Sequence, residues 1–291
     1  QGFAPSDVSG LKLWLDATDV DANGQPDNLA NDSNVTLWMD KAGGDHNATG
    51  GNSPTYQAAG LNGKPAVRFE GSDWLGFREI EDVRTVFLVA GKDSGPRDHP
   101  TMLGHSSSYH FHSGHSKIWS GYTSPSVRSG FTRLRGTPVD GRKTNLPSAT
   151  FILSVVTTGT VSVDRIARDR SQNYPWNGVF SEILIYNEAL SDENRIKVGK
   201  YLSEKWDLGY GTNVYAMDSM TTAAGRAFLL DMANLRQVSE AEVTRAKEGN
   251  TPGTINQFTP TFRIGPGERP SKVNEFGLDT GAESGFWVAP K

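Results

Sequence analysis

The sequence predicts an all-β chain folded as a two-sheet antiparallel sandwich, with one short helix after the last strand and an arm beyond it. Three observations carry this expectation. Short segments rich in Val, Ile, Leu, Phe and Trp recur from Leu11 to Tyr186, and several alternate apolar with polar residues. No helical period interrupts them before Ser191. The thirty-two glycines, with many Asn, Asp, Ser and Thr, suit short strands joined by turns and long connections.

Strands are expected over 11–16, 35–40, 66–70, 85–90, 110–112, 117–121, 127–134, 150–157, 161–168 and 179–186. Thr158-Gly159-Thr160 reads as a tight turn, which makes 151–163 a hairpin. Ile183 to Tyr186 reads as a buried closing strand. Ser191 is placed as an N-cap, and Asp192 and Glu193 lie in the first helical turn, where carboxylates complement the helix dipole. Ile196, Val198, Tyr201, Leu202 and Trp206 then mark one face of a short amphipathic helix.

After Gly211 the pattern changes. Residues 216–235 lack Pro, and Phe228, Leu229, Met232 and Leu235 cluster at helical spacing. Ser239 followed by Glu242 has capping-box spacing and opens a second helix to about Glu248. From Thr254 no period is sustained, yet Phe258, Phe262, Phe276, Phe286 and Trp287 make this part too aromatic for a solvated tail. The expected organisation is a sandwich over 1–211, a helical extension over 212–250 and an extended arm over 251–291, the arm packing on its own sandwich or on a neighbouring subunit.

Four segments carry a resemblance: Gly10-Leu11-Lys12-Leu13-Trp14-Leu15-Asp16-Ala17, Val35-Thr36-Leu37-Trp38-Met39-Asp40-Lys41, the stretch Leu61 to Gly71, and Val179 to Arg195 with the Lys205-Trp206 pair beyond it. Over about residues 10–208 the chain resembles the laminin-G-like, concanavalin A-type lectin and glucanase family. The resemblance implies a jelly-roll arrangement of the sandwich. It leaves function open, because this fold carries lectins, glycoside hydrolases, adhesion modules and spacers. The arm resembles no family.

A net charge of −4 gives no electrostatic case for nucleic acid or an anionic membrane. There is no cysteine, hence no disulfide and no thiol chemistry. No apolar run reaches transmembrane length. The chain starts with Gln, which suggests a processed N-terminus and an exported protein. Glycosylation triplets occur at Asn31, Asn34 and Asn47, as expected by chance in so Asn-rich a chain.

The strongest chemical motif is Asp19-Val20-Asp21-Ala22-Asn23-Gly24-Gln25-Pro26-Asp27. Side-chain oxygens from Asp19, Asp21, Asn23 and Asp27, with a backbone carbonyl from Gln25, have the spacing of a Ca²⁺ loop, and Gly24 permits the sharp turn. The loop looks like those of thrombospondin type-3 and dockerin-like repeats. It departs from the EF-hand because Ala30 stands where the bidentate Glu would be, which would leave Asp16 or Asp32 to supply that ligand. The alternative is a polar Asx-rich turn.

His105, His110, His112 and His115 cluster before Trp119. His110 and His112 share one face of a strand and could chelate a transition metal. The alternative favoured is a polar surface in which His110, His112 and His115 hydrogen-bond a glycan beside the rings of Trp119 and Tyr122, although strand aromatics more often belong to the core.

Retaining glycosidases need two carboxylates about 5 to 5.5 Å apart. The nearest text, Glu79-Ile80-Glu81-Asp82-Val83-Arg84, breaks the alternation and reads as a solvated turn. No serine-hydrolase, zinc-protease or phosphate-loop motif is present. The expectation is a secreted or surface-exposed, non-catalytic domain that binds glycan or a surface protein, with Ca²⁺ ordering the Asp19–Asp27 loop. A structural subunit of an extracellular or virion assembly, self-associating through the arm, is the alternative. A divergent polysaccharide hydrolase or lyase comes third.

Overall fold

The computed structural model describes residues 2–93, 100–108, 110–114, 116–171 and 174–210, with the backbone of 228–230, 235–237, 262–263 and 287–288. The chain divides into two units, Gln1–Gly211 and Thr212–Lys291. The first holds β1 (Leu11–Asp16), β2 (Leu37–Trp38), β3 (Ala48–Thr49), β4 (Thr55–Leu61), β5 (Lys64–Phe69), β6 (Leu75–Lys92), β7 (Thr101–Gly104), β8 (Phe111–His112), β9 (Phe131–Leu134), β10 (Thr137–Pro138), β11 (Phe151–Ile166) and β12 (Gly178–Tyr186). Its two α-helices are α1 (Pro125–Arg128) and α2 (Asp192–Trp206). The strands form a large antiparallel sheet whose main path runs β10-β9-β11-β6-β12-β5-β4.

The centre is β12. All nine of its residues are buried, as in a strand covered on both faces. On one side it pairs with β6 along its length; on the other it pairs first with β5 and then with β1. Phe180 packs edge-on against Phe69, and Tyr186 against Phe87. Helix α2 begins where the sequence places it: the Ser191 hydroxyl accepts from the Asn194 N–H at 3.3 Å. Val198, Leu202 and Trp206 are its buried stripe, while Ile196 is only half-buried. Asp207 ends it in the left-handed conformation.

Two expected boundaries are corrected. Thr158-Gly159-Thr160 is not a hairpin turn, because β11 runs unbroken through it. Both halves of β11 pair with the single long strand β6, Val156 opposite Thr85 and Val161 opposite Val83, so Thr157–Thr160 bulges opposite Arg84 alone. The Thr157 hydroxyl donates to the Arg84 carbonyl at 3.2 Å and the Arg84 guanidinium to the Thr157 carbonyl at 3.1 Å. The Glu79–Arg84 stretch, expected as a turn, is therefore the middle of β6.

Smaller differences follow from local chemistry. Pro125 starts a helical turn, so the strand expected from residue 127 begins at Phe131. Residues 117–121 form no strand and make only a bridge between Lys117 and Asn145. Strands β3, β4, β7 and β10 lay outside the expectation.

In the second unit, Phe228–Leu230 pairs antiparallel with Leu235–Gln237, so part of the stretch expected as helix is extended. A short apolar run satisfies either period, and cross-strand pairing decides it here. Phe262–Arg263 pairs with Trp287–Val288. The helix expected from Ser239, and Phe258, Phe276 and Phe286, lie outside the described residues. Among the described residues no helix is long and apolar enough to cross a membrane.

Ser191→Ala removes the cap and is expected to cost about 1 kcal/mol in urea unfolding, with Ser191→Asp close to wild type.

Candidate functional site

The loop after β1 brings its carboxylates together. One oxygen from each of Asp19, Asp21 and Asp27 lies within 4.8 Å of the others. Backbone hydrogen bonds set the turn. Asp19 Oδ1 accepts from Asn23 N–H at 3.0 Å and Oδ2 from Gly24 N–H at 3.2 Å. Asp27 Oδ2 accepts from Val20 N–H, and Asp27 N–H donates to the Thr18 carbonyl at 2.8 Å. Gly24 adopts φ +84°, the left-handed turn for which a glycine was expected. Asn23 is arranged differently from a ligand: its Oδ1 accepts from Gln25 N–H and its amide donates to Asp21. Gln25 is exposed. Neither proposed extra ligand joins the site. Asp32 is held by Gln57 at 2.7 Å, and Asp16 belongs to a second cluster.

That cluster lies directly under the loop. Asp16 on β1 stands opposite Glu182 on β12 in the strand register. Like charges in that position repel, and both are buried. Lys205 of α2 resolves the conflict, with Nζ 2.7 Å from Asp16 Oδ2 and 2.9 Å from Glu182 Oε2. Lys41 continues the chain, with Nζ 2.9 Å from Asp16 Oδ2 and 2.7 Å from Asp19 Oδ2. Glu182 also receives the indole N–H of Trp14 at 2.7 Å, that of Trp206 at 2.6 Å and the Tyr201 hydroxyl at 3.2 Å. Asp19, Lys41, Asp16, Lys205 and Glu182 thus form one line of alternating charge from the loop to the interior.

The electrostatics follow from this order. Burial opposes ionisation of Asp16, yet Lys205 and Lys41 outweigh it and hold its carboxyl below the usual range. Burial pushes Glu182 up despite Lys205. Burial also opposes the Lys41 ammonium, which Asp16 and Asp19 nevertheless hold above its ordinary value. Burial, with Glu182 beside it, pushes the Tyr201 hydroxyl well up, so it acts as a donor.

The sequence did not point to this network. One signal was available: a glutamate in the middle of an apolar closing strand demands partners. The Lys205-Trp206 pair supplies two of them.

The histidine segment is not one surface. His105 is buried, with Nε2 2.6 Å from Glu79 Oε1 and Nδ1 accepting from Ser107 N–H at 3.1 Å. The His110 ring lies 6.0 Å from that of His105, and burial with His105 nearby lowers its pKa. His112 is buried on β8, 3.3 Å from the Thr101 hydroxyl and edge-on to Tyr174. His115 lies outside the described residues. Trp119 is a core residue, 2% exposed, packed on Phe111 and donating to Thr132 at 2.7 Å. Its ring has no free face for a sugar; the segment needs it as filler between short strands. Of the described candidates, Tyr122 alone is well exposed, at 64%. Among the described residues, the Asp19 group is the one acidic or histidine cluster whose ligand atoms converge closely enough for a metal.

Two of the three carboxylates of β6 go to different partners, Glu79 to His105 and Asp82 to the Asn187 amide at 2.8 Å. No known family model matches the chain, and no curated protein or solved structure proves similar to it.

Asp16→Asn leaves two half-buried ammonium groups short of a partner around a buried site and is expected to cost about 3 kcal/mol in chemical unfolding. The depressed Asp16 carboxyl contributes stability that is present above the unfolded range near pH 4 and is lost as pH falls through its lower folded value. Glu182 titrates in the opposite sense, losing its contribution as pH rises through its raised folded value. Stability of Asp16→Asn is therefore expected to fall less steeply with acid than that of wild type. Parallel acid limbs in the two proteins would refute the assignment.

Proposed function

We propose that this chain is a non-catalytic recognition domain of the cell exterior, a jelly-roll sandwich of laminin-G-like character that binds glycan and is ordered by Ca²⁺ at the Asp19–Asp27 loop. The observation that carries this reading is the convergence of the Asp19, Asp21 and Asp27 oxygens within 4.8 Å on a turn of calcium-loop spacing.

The donor set supports calcium over a transition metal, since every converging ligand is a hard oxygen. Its strength supports the location. Asp19 already shares its charge with Lys41 at 2.7 Å, and the bidentate position of the EF-hand is missing. A loop with so few ligands is a weak one, of the kind filled where calcium is near millimolar, as outside cells. Asp19 is buried, Asp27 half-buried and Asp21 exposed, so an ion there would be met by oxygens from the interior outwards. The ion would tie a long loop to the end of β1 and so hold the sheet rim in one shape for a ligand. Separate partners for Glu79 and Asp82 support recognition over glycoside hydrolysis, which needs a matched acid pair.

Calcium at a hundredfold excess over its Kd is expected to stabilise the fold by about 2.7 kcal/mol. The check is thermal melting in calcium and in chelator, with Asp21→Asn and Asp27→Asn abolishing the difference. Equal melting of wild type in both buffers would remove the calcium reading. A broad glycan array without a binder would remove the recognition reading.

A further inference from the structure

A pocket of about 230 Å³ lies away from the acidic loop, between the turns at Gly51–Asn52, Ser72–Trp74 and Ala167–Arg168. One wall is the half-buried indole of Trp74, with the Arg168 guanidinium 4.5 Å above its ring. A neighbouring arginine shows what is unusual here. Arg165 also lies over Trp74, at 5.5 Å, but it is held by Asp164 at 2.7 Å. Arg168 Nε is buried and has no hydrogen-bond partner among the described residues. A buried guanidinium N–H without an acceptor costs free energy, and Arg168 is held here by the Trp74 ring rather than by a carboxylate.

The opposite rim offers acceptors. Asp73 Oδ2 accepts from Glu70 N–H at 2.9 Å, and the Asn52 amide donates to the Ser72 hydroxyl. The second oxygen of Asp73 and the side-chain oxygen of Asn52 make no hydrogen bond among the described residues. Gly51 brings this rim close. It adopts φ +74°, and a Cβ there would stand 2.4 Å from the indole nitrogen of Trp74, so only glycine lets the turn lie against the ring edge.

Donor-only Arg168 and acceptor-only Asp73 both line the pocket, a pairing that suits groups that both donate and accept, which is the chemistry of hydroxyls. Ala167, Pro175 and the part of the Trp74 ring that Arg168 and Arg165 leave uncovered supply an apolar side for ring C–H groups. The charges of Arg168 and Asp73 balance, which favours an uncharged ligand. The volume is below the roughly 300 Å³ at which drug-sized sites begin, so it admits one ring. We propose that this pocket is the glycan subsite of the domain and takes one uncharged pyranose ring, with Arg168 and Asp73 on its hydroxyls and Trp74 beside its carbon face. This assignment rests on the glycan-recognition reading above.

The test is an NMR titration of the ¹⁵N-labelled full chain with methyl glucoside, galactoside, mannoside, N-acetylglucosaminide and glucuronide. The Trp74 indole signal is assigned by its loss in Trp74→Phe. At least one uncharged pyranoside is expected to move that signal, with the glucuronide weaker. Arg168→Met is expected to weaken binding about tenfold or more while melting near wild type, and Tyr122→Ala to bind as wild type. Binding that leaves the Trp74 signal still and is unchanged in Arg168→Met would overturn the pocket and spare glycan recognition. Preference for the glucuronide would overturn the uncharged ligand. Absence of binding by every saccharide, here and on the array, would overturn both readings.

Discussion

The carboxylate of Glu182 is the constraint around which the first unit is organised. A carboxyl group with no access to water is tolerated only when its oxygens have partners, and here the partners come from β1, through Trp14, and from α2, through Tyr201, Lys205 and Trp206. The helix is therefore fixed to the sheet by direction as well as by apolar contact. A slip of β1 by one residue would remove Asp16 from its place opposite Glu182 and turn Trp14 to the other face. The polar cluster thus specifies register in a sheet whose central strand, buried on both faces, would otherwise tolerate several.

The same cluster reaches the surface through Lys41. Its ammonium touches Asp16 inside and Asp19 in the loop, so the charge state of the loop is felt at the closing strand. Lys41 also lies 4.7 Å above the Trp14 ring, whose indole N–H serves Glu182. Coupling of this kind needs no conformational change, since neighbouring charges in a poorly screened interior interact over several ångströms.

Much of the architecture was legible from local chemistry. The cap at Ser191, the closing strand at Val179–Tyr186 and the first strand at Leu11–Asp16 each combine an apolar period with a start or stop signal, and each stands where expected. What local chemistry could not show was which strands pair. Thr158-Gly159-Thr160 has the composition of a turn, and only the length of β6 beside it makes it a bulge. The candidate site divides in the same way. Asp19, Asp21 and Asp27 are close in sequence, and their spacing alone foretold that they meet. Asp16, Lys41, Glu182 and Lys205 are far apart in sequence and meet only through register. Trp119 and His112 have the residue types of a sugar surface, but burial is a property of the whole fold, and it places both inside.

The bulge opposite Arg84 has a consequence for how the unit comes apart. On one side of it β11 is flanked by β9, on the other by β7; β6 likewise touches β12 before Lys92 and β3 near Gly76. Two unbroken strands therefore belong to both regions at once. Neither region can lose its pairing without pulling on the backbone of the other, so local opening is confined to the short peripheral strands, and the remainder unravels as a single cooperative block.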